Sequence, residues 1–214
     1  MYISKINIPK QIIILFFLSA ALLLFRVLIF GDYSLVYMFW NIFLAIIPFF
    51  LSTLLLSYIK NIKYKRVIFI TVGVIWLLFL PNAPYLVTDL THIHFSGDVP
   101  SIYDALLLFS SAWLGIILFS NSLFHIEQIF RSKFSKRRTN ILVTIIIFLT
   151  SFGVYLGRFL RFNSWDVFAN HISFLKGIFN LLSTITFNIQ LFLYTILFFV
   201  FIYVSYYAWK SAKL

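Results

Sequence analysis

The stretch LVYMFWNIFLAIIPFFLSTLLLSY, residues 35–58, contains no charged side chain. It is longer than the roughly 20 residues with which an α-helix crosses about 30 Å of hydrocarbon. Its apolar residues are continuous rather than spaced for one face of a soluble helix or of a half-buried strand. The stretch therefore predicts a membrane-spanning helix, in which Pro48 predicts a kink.

Five other runs are also predominantly apolar. The predicted spans are residues 11–30, 35–58, 66–80, 103–124, 141–157 and 187–208. The composition agrees, because the chain is 62% hydrophobic and 11% charged, whereas a soluble domain is usually about 45–50% apolar and about 25% charged. We therefore expect residues 1–214 to form one all-α domain, a polytopic transmembrane helix bundle of about six spans in a lipid bilayer.

The basic residues divide unequally between the loops on the two sides of these spans. One side would hold Lys5, Lys10, Lys60, Lys63, Lys65, Arg66, Arg131, Lys133, Lys136, Arg137, Arg138, Lys210 and Lys213, and the other Arg26, Arg158, Arg161 and Lys176. Cytoplasmic loops of membrane proteins collect Lys and Arg, so we expect both termini in the cytoplasm. This bias accounts for the net charge of +11 without a nucleic-acid partner.

The loop after the third predicted span, residues 81–104, carries Asn82, Asp89, His92 and His94. If the segment is helical, Asp89 and His92 share a face; if it is extended, His92 and His94 share one instead. The sequence leaves both arrangements open. Pro81 marks the end of the preceding helix, because proline lacks an N–H and disfavours helical geometry in the residue before it.

A second outer loop reads GRFLRFNSWDVFANHISFLKGIFNLLST, residues 157–184. Apolar and polar side chains form separate stripes over residues 164–182, with Ser164 placed to cap a helix. This pattern predicts an amphipathic helix in the outer membrane interface, anchored by Trp165.

Two of the predicted spans, 66–80 and 141–157, are short, and each runs into one of these loops. If those helices end early, Asn82, Asp89 and His92 on one side and Arg158 and Arg161 on the other lie in a polar recess below the outer surface. Alternatively, the basic flanks extend the two helices inward and the loops stay at the surface.

Arg158 and Arg161 are three residues apart and would share a helical face if the fifth helix continues, a spacing suited to holding a phosphate or carboxylate. They could instead pair with loop carboxylates and tie the loops together.

Asp89 and His92 are candidates for acid–base catalysis. A divalent metal is a further option, although no H-E-x-x-H spacing is present and the chain has no cysteine ligand. The candidate metal ligands are His92, His94, Asp166 and His171.

Within the spans, Gly153 and Gly157 form a G-x-x-x-G pattern, and Ser111 and Gly115 form a small-x-x-x-small pattern. Both allow helices to approach closely, and we expect this packing within the bundle.

LPNAPYLVTDLTH at 80–92 and GRFLRFNSWDV at 157–167, on a frame of six spans, resemble the bacterial integral-membrane proteins catalogued as domain of unknown function 1361. The resemblance covers most of the chain and implies a multi-pass protein of the bacterial cytoplasmic (inner) membrane. It supplies no activity, substrate or catalytic residue.

Two functions remain open at this level. One is a membrane-embedded enzyme, or a protein that handles lipids or other anionic substrates, with Asn82, Arg158 and Arg161 holding the anion. The other is a small transporter or a structural subunit, working as a homo-oligomer or within a larger membrane complex. Against transport, the spans show no obvious inverted repeat.

Overall fold

The computed structural model describes residues 8–61, 66–93, 99–162, 164, 166, 172, 176–177 and 189–213. The helices are α1 (Lys10–Phe30), α2 (Tyr37–Asn61), α3 (Arg66–Phe79), α4 (Asn82–Tyr85), a 3₁₀ helix (Leu86–His92), α5 (Ser101–Arg131), α6 (Lys136–Phe159) and α7 (Ile189–Lys213). The helix expected over residues 164–182 lies mostly outside the described residues, as do His94 and His171.

Among the described residues, six helical segments are long and apolar enough to cross a membrane. They are Lys10–Phe30, Tyr37–Ser57, Val67–His92, Ser101–Arg131, Lys136–Phe159 and Leu191–Lys213. This confirms the all-α transmembrane bundle of about six spans. We call the end of the bundle that carries Arg131 and Lys136 the basic end, and the opposite end, which carries Asp89, the Asp89 end.

The third crossing differs from the expected span at residues 66–80. α3 ends at Phe79, the chain turns at Leu80 and Pro81, and α4 and the 3₁₀ helix then continue the same crossing to His92. Pro81 and Pro84 fall at the start of the new helix, where a missing N–H breaks no helical hydrogen bond. The prolines therefore interrupt the crossing without ending it.

The fifth crossing is of full length because the basic flank joins it. α6 runs for 24 residues from Lys136, and the Ser135 side chain accepts from the Arg138 backbone N–H at its start. Of the two alternatives for the short spans, inward extension therefore holds for the fifth, while the third gains its length from residues 82–92. Arg158 consequently lies in the last turn of α6, at the Asp89 end.

Glycines fix the depth of α4. A Cβ on Gly115, near the middle of the 31-residue α5, would collide with the Ala83 carbonyl oxygen. A Cβ on Gly153 of α6 would lie 2.5 Å from Cγ of Pro81. The expected close approach is therefore within the bundle, and the segment that approaches is the Pro81–Tyr85 turn, held about half-way along α5.

A buried ion pair ties α1 to α5 near the Asp89 end. The Arg26 guanidinium donates to Asp104 from Nε at 2.8 Å, and the two side chains are 2% and 1% exposed. Arg26 also contacts Asp32 in the loop before α2. The backbone N–H of Ser34, together with Arg26, lowers the pKa of Asp32 to about 2.

A second buried polar cluster ties α5 to α7 near the basic end. Glu127, 1% exposed, accepts from Lys210 Nζ at 2.5 Å and from the Tyr206 hydroxyl, and pairs with Arg131. α5 is thus joined to a neighbouring helix by buried charge near each of its ends.

Candidate functional site

A cavity of about 830 Å³ opens beside the broken third crossing. Its lining residues come from α2, α3, α4, the 3₁₀ helix, α6 and the segment that follows α6. They are Trp40, Asn41, Leu44, Leu77, Leu78, Pro81, Asn82, Tyr85, His92, Leu149, Phe152, Gly153, Leu156, Gly157, Arg158, Arg161, Phe162 and Ser164. Most of the polar side chains in this set lie toward the Asp89 end.

Arg158 joins α6 to the 3₁₀ helix at this cavity. Its Nη1 lies 3.1 Å from Nε2 of His92, and its Nη2 donates to the Thr91 hydroxyl at 2.5 Å. Because a guanidinium can only donate, Nε2 of His92 accepts in this contact, which places the ring proton on Nδ1. The ring of His92 also packs edge-on against Tyr37, with 5.8 Å between the ring centroids.

Asp89 lies next to the Arg158–His92 contact and is buried, with 1% of its surface exposed. One carboxylate oxygen accepts from Asn41 Nδ2 at 3.0 Å, and the other lies 3.9 Å from Nη1 of Arg158. Arg158 itself is 23% exposed. The guanidinium is therefore close to a buried carboxylate but only loosely paired with it, and it remains accessible from the cavity.

Helical geometry brings Asp89 and His92 to the same cation. A 3₁₀ helix has three residues per turn, so side chains three apart lie one above the other. The structure thus selects the helical alternative for this segment. Gly157 adds to the fit, since Tyr85 passes close enough that a Cβ there would lie 3.4 Å from its ring.

Arg161 and Asn82 also line the cavity, but in different ways. Arg161 is exposed, follows the end of α6 with a left-handed backbone (φ 56°), and forms no ion pair with a carboxylate among the described residues. Asn82 donates through Nδ2 to the Phe79 carbonyl at 2.9 Å and to the Ser164 hydroxyl at 2.8 Å. It ties the end of α3 to the loop after α6.

The described part of the chain contains no group of three His, Asp or Glu side chains close enough to share a metal ion. Asp166 is not one of the cavity-lining residues that the structure describes. Arg158 also contacts Nε2 of His92, one of its two possible metal-ligating atoms. A cation beside Asp89 and His92 favours an anionic ligand over a metal.

Sequence reasoning missed two residues of the site. Asn41 donates a hydrogen bond to Asp89, and Thr91 accepts one from Arg158. A signal for Asn41 existed, because an amide inside an apolar span requires a polar partner and marks a candidate site. For Thr91 no such signal existed, since threonine is common in loops.

A family model described as "Protein of unknown function (DUF1361)" matches residues 40–205, which include every residue of the Arg158 contact and of the cavity. Neither the curated proteins nor the solved structures contain a match to the chain. Because the family match covers most of the 214 residues, the chain belongs to the DUF1361 family of proteins of unknown function.

Proposed function

We propose that this protein resides in a bacterial inner membrane with both termini in the cytoplasm, and that its cavity is an outward-facing site for an anionic substrate. Arg158 and Arg161 hold the anionic group, and His92 and Asp89 form an acid–base pair beside it. The protein is then a membrane-embedded enzyme or a lipid-handling protein rather than a structural subunit.

The position of Arg158 is the observation that carries this proposal. A guanidinium has five N–H donors, and only two of them donate to His92 and Thr91 among the described residues. Among the described residues, the carboxylate paired with it is that of Asp89, which is 3.9 Å away and is itself held by Asn41. Charge and donors therefore remain for a ligand, and Arg161 adds a second cation at the same opening.

Anion binding would also change what His92 can do. In the structure Nε2 of His92 accepts from Arg158. An anion that takes over the Arg158 donors leaves Nε2 able to accept a proton from water or from a substrate hydroxyl. Binding and proton transfer are then linked through one contact.

A transporter is the second candidate, and the broken third crossing favours it. Discontinuous helices whose irregular segment borders a cavity near the middle of the membrane are common in secondary transporters. Pro81 lines the cavity, and Ala83 in the helix that follows lies against Gly115 near the middle of α5. Uptake of the bound anion into sealed vesicles, absent from vesicles without the protein, would favour this candidate over an enzyme.

The test measures binding of glycerol phosphate as a simple soluble anion. The melting temperature of the purified protein in detergent should rise with its concentration and saturate. Arg158→Gln should weaken the apparent affinity roughly ten- to a hundredfold, because a charge-assisted hydrogen bond contributes about 1.5–3 kcal/mol. The matched control is Arg137→Gln, an exposed cation at the basic end, which should bind as the unsubstituted protein does.

Two outcomes would contradict the proposal. One is saturable binding that Arg158→Gln leaves unchanged; the other is an equal loss of binding in Arg158→Gln and Arg137→Gln, which would indicate a general charge effect. His92→Gln separates the roles, since it should retain glycerol phosphate binding and fail to restore function in a deletion strain.

A further inference from the structure

The cavity lies at the edge of the bundle rather than at its centre. α5 packs against α1, α2, α4, α6, α7 and the 3₁₀ helix and so occupies the centre. Among the described residues that line the cavity, none comes from α1, α5 or α7. The cavity therefore faces away from the packed core, toward the surface that a bilayer surrounds.

Its side walls are α2 and α6. Each packs against α3 and α4, but the two have no substantial contact with one another. Among the described residues, a cleft therefore separates α2 from α6, with the broken crossing at its back. Two of the lining side chains remain substantially exposed, Trp40 at 53% and Leu149 at 43%, one from each wall.

The cleft changes character along its length. The lining residues of α6 extend from Leu149 to Arg158, nine residues or about 14 Å along the helix axis. The guanidinium and imidazole groups lie at the Asp89 end, whereas Leu44, Leu77 and Leu149 line the part toward the middle of the bundle. A ligand that matches both parts has an anionic head and an apolar tail.

We propose that the site takes the phosphate head group of a membrane lipid, which enters sideways between α2 and α6 with its hydrocarbon chain against Leu44, Leu77 and Leu149. This inference rests on the proposed anion site at Arg158. It adds that the anion reaches the site from the bilayer and not from water.

Phosphate fits the opening better than carboxylate does. Three of the lining side chains offer donors to an anion: the guanidinium groups of Arg158 and Arg161 and the hydroxyl of Ser164. One bidentate guanidinium contacts both oxygens of a carboxylate in a single plane, whereas a phosphate monoester has a third terminal oxygen outside that plane for the second arginine. The apolar part of the cleft, lined by Leu44, Leu77 and Leu149, favours a phosphate that carries a hydrocarbon chain. A soluble phosphate would make no contact with these leucines.

The experiment uses the full chain in phosphatidylcholine nanodiscs that contain a small fraction of phosphatidic acid with a photoreactive group in its acyl chain. After illumination, mass spectrometry maps the labelled residues. We expect labelling of the cavity walls in α2, α3 and α6. Arg158→Gln should reduce it roughly tenfold through loss of the head-group contact. Leu149→Trp, which fills the cleft below an intact head-group site, should reduce it similarly.

The matched control is Leu28→Trp, the same substitution at a side chain of α1 that is 78% exposed and remote from the cavity lining. It should leave labelling of the cavity unchanged. A second probe with the same photoreactive chain on phosphatidylcholine should label the cavity more weakly, because its head group has no net charge.

Different failures have different meanings. If glycerol phosphate binding depends on Arg158 but Leu149→Trp does not affect lipid labelling, or if the lipid probe labels α1 and α7 as strongly as the cavity walls, the anion site stands and the lipid inference is wrong. Equal labelling by a photoreactive fatty acid would overturn the choice of phosphate. If neither glycerol phosphate nor lipid labelling responds to Arg158→Gln, the anion site itself is wrong.

Discussion

Two arginine–carboxylate pairs in this protein have opposite characters at the scale of the residue. Arg26 and Asp104 are both buried, with 2.8 Å between Nε and Oδ1. Arg158 and Asp89 are separated by 3.9 Å, and Arg158 is accessible from the cavity. Burial and distance therefore distinguish a pair that joins helices from a cation that can bind a ligand, a difference that the sequence alone does not show.

This contrast predicts the stability of variants. Arg26→Met should destabilise the protein by about 3–5 kcal/mol, because it leaves Asp104 buried without its counter-charge. The double variant Arg26→Met/Asp104→Leu should recover part of that loss. Arg158→Gln should cost less, since Asn41 still donates to Asp89. Melting temperatures in one detergent measure all three, and equal losses for Arg26→Met and Arg158→Gln would contradict the assignment.

At the scale of the element, the broken third crossing shapes the site. Pro81 and Pro84 interrupt the helix, and glycines on α5 and α6 let the resulting turn lie against them. The 3₁₀ helix then continues the crossing toward the Asp89 end and places Asp89, Thr91 and His92 beside α6. A continuous helix would place these side chains differently and would remove the back wall of the cavity.

Substitutions of glycine test this element. Gly115→Ala should destabilise the protein by about 1–3 kcal/mol, because its Cβ meets the Ala83 carbonyl and the turn must shift. Gly73→Ala on α3 is the control, since nothing lies within 4 Å of its Cβ position, and it should be neutral or slightly stabilising. Melting temperatures measure both effects, and equal values for the two variants would show that the close approach at Gly115 is unimportant.

At the scale of the whole molecule, the part of the chain that the structure describes has an even number of candidate spans, which brings residues 10 and 213 to the same end of the bundle. Buried polar contacts join α5 to α1 through Arg26 and Asp104, and to α7 through Glu127 and Lys210. These ties hold the outer helices on the central one. The side of α3 and α4 that faces away from α5 is the side on which the cavity opens.

Orientation is predicted from the unequal distribution of basic residues. A reporter that is active only in the cytoplasm should be active when fused after Leu214, and inactive when fused after Pro100 in a truncated chain. The reverse pattern, with both fusions well expressed, would place the cavity on the cytoplasmic side and would contradict an outward-facing site. Activity of both fusions would contradict the span count.

The sequence by itself determined the membrane class, the number of spans and the helical fold, because the length and apolarity of each run are local properties that lipid imposes on any crossing. It also identified Asp89, His92 and Arg158 as unusual, since ionisable groups beside short spans need partners. Tertiary structure alone decided that the third crossing continues to His92. It also decided three side-chain contacts: Asn41 with Asp89, Arg158 with His92, and Asn82 with Ser164. Those outcomes depend on contacts between residues 48 to 82 positions apart. Such contacts depend on how the helices pack. The periodicity within one helix shows which residues share a face, but it does not show which neighbouring helix that face contacts.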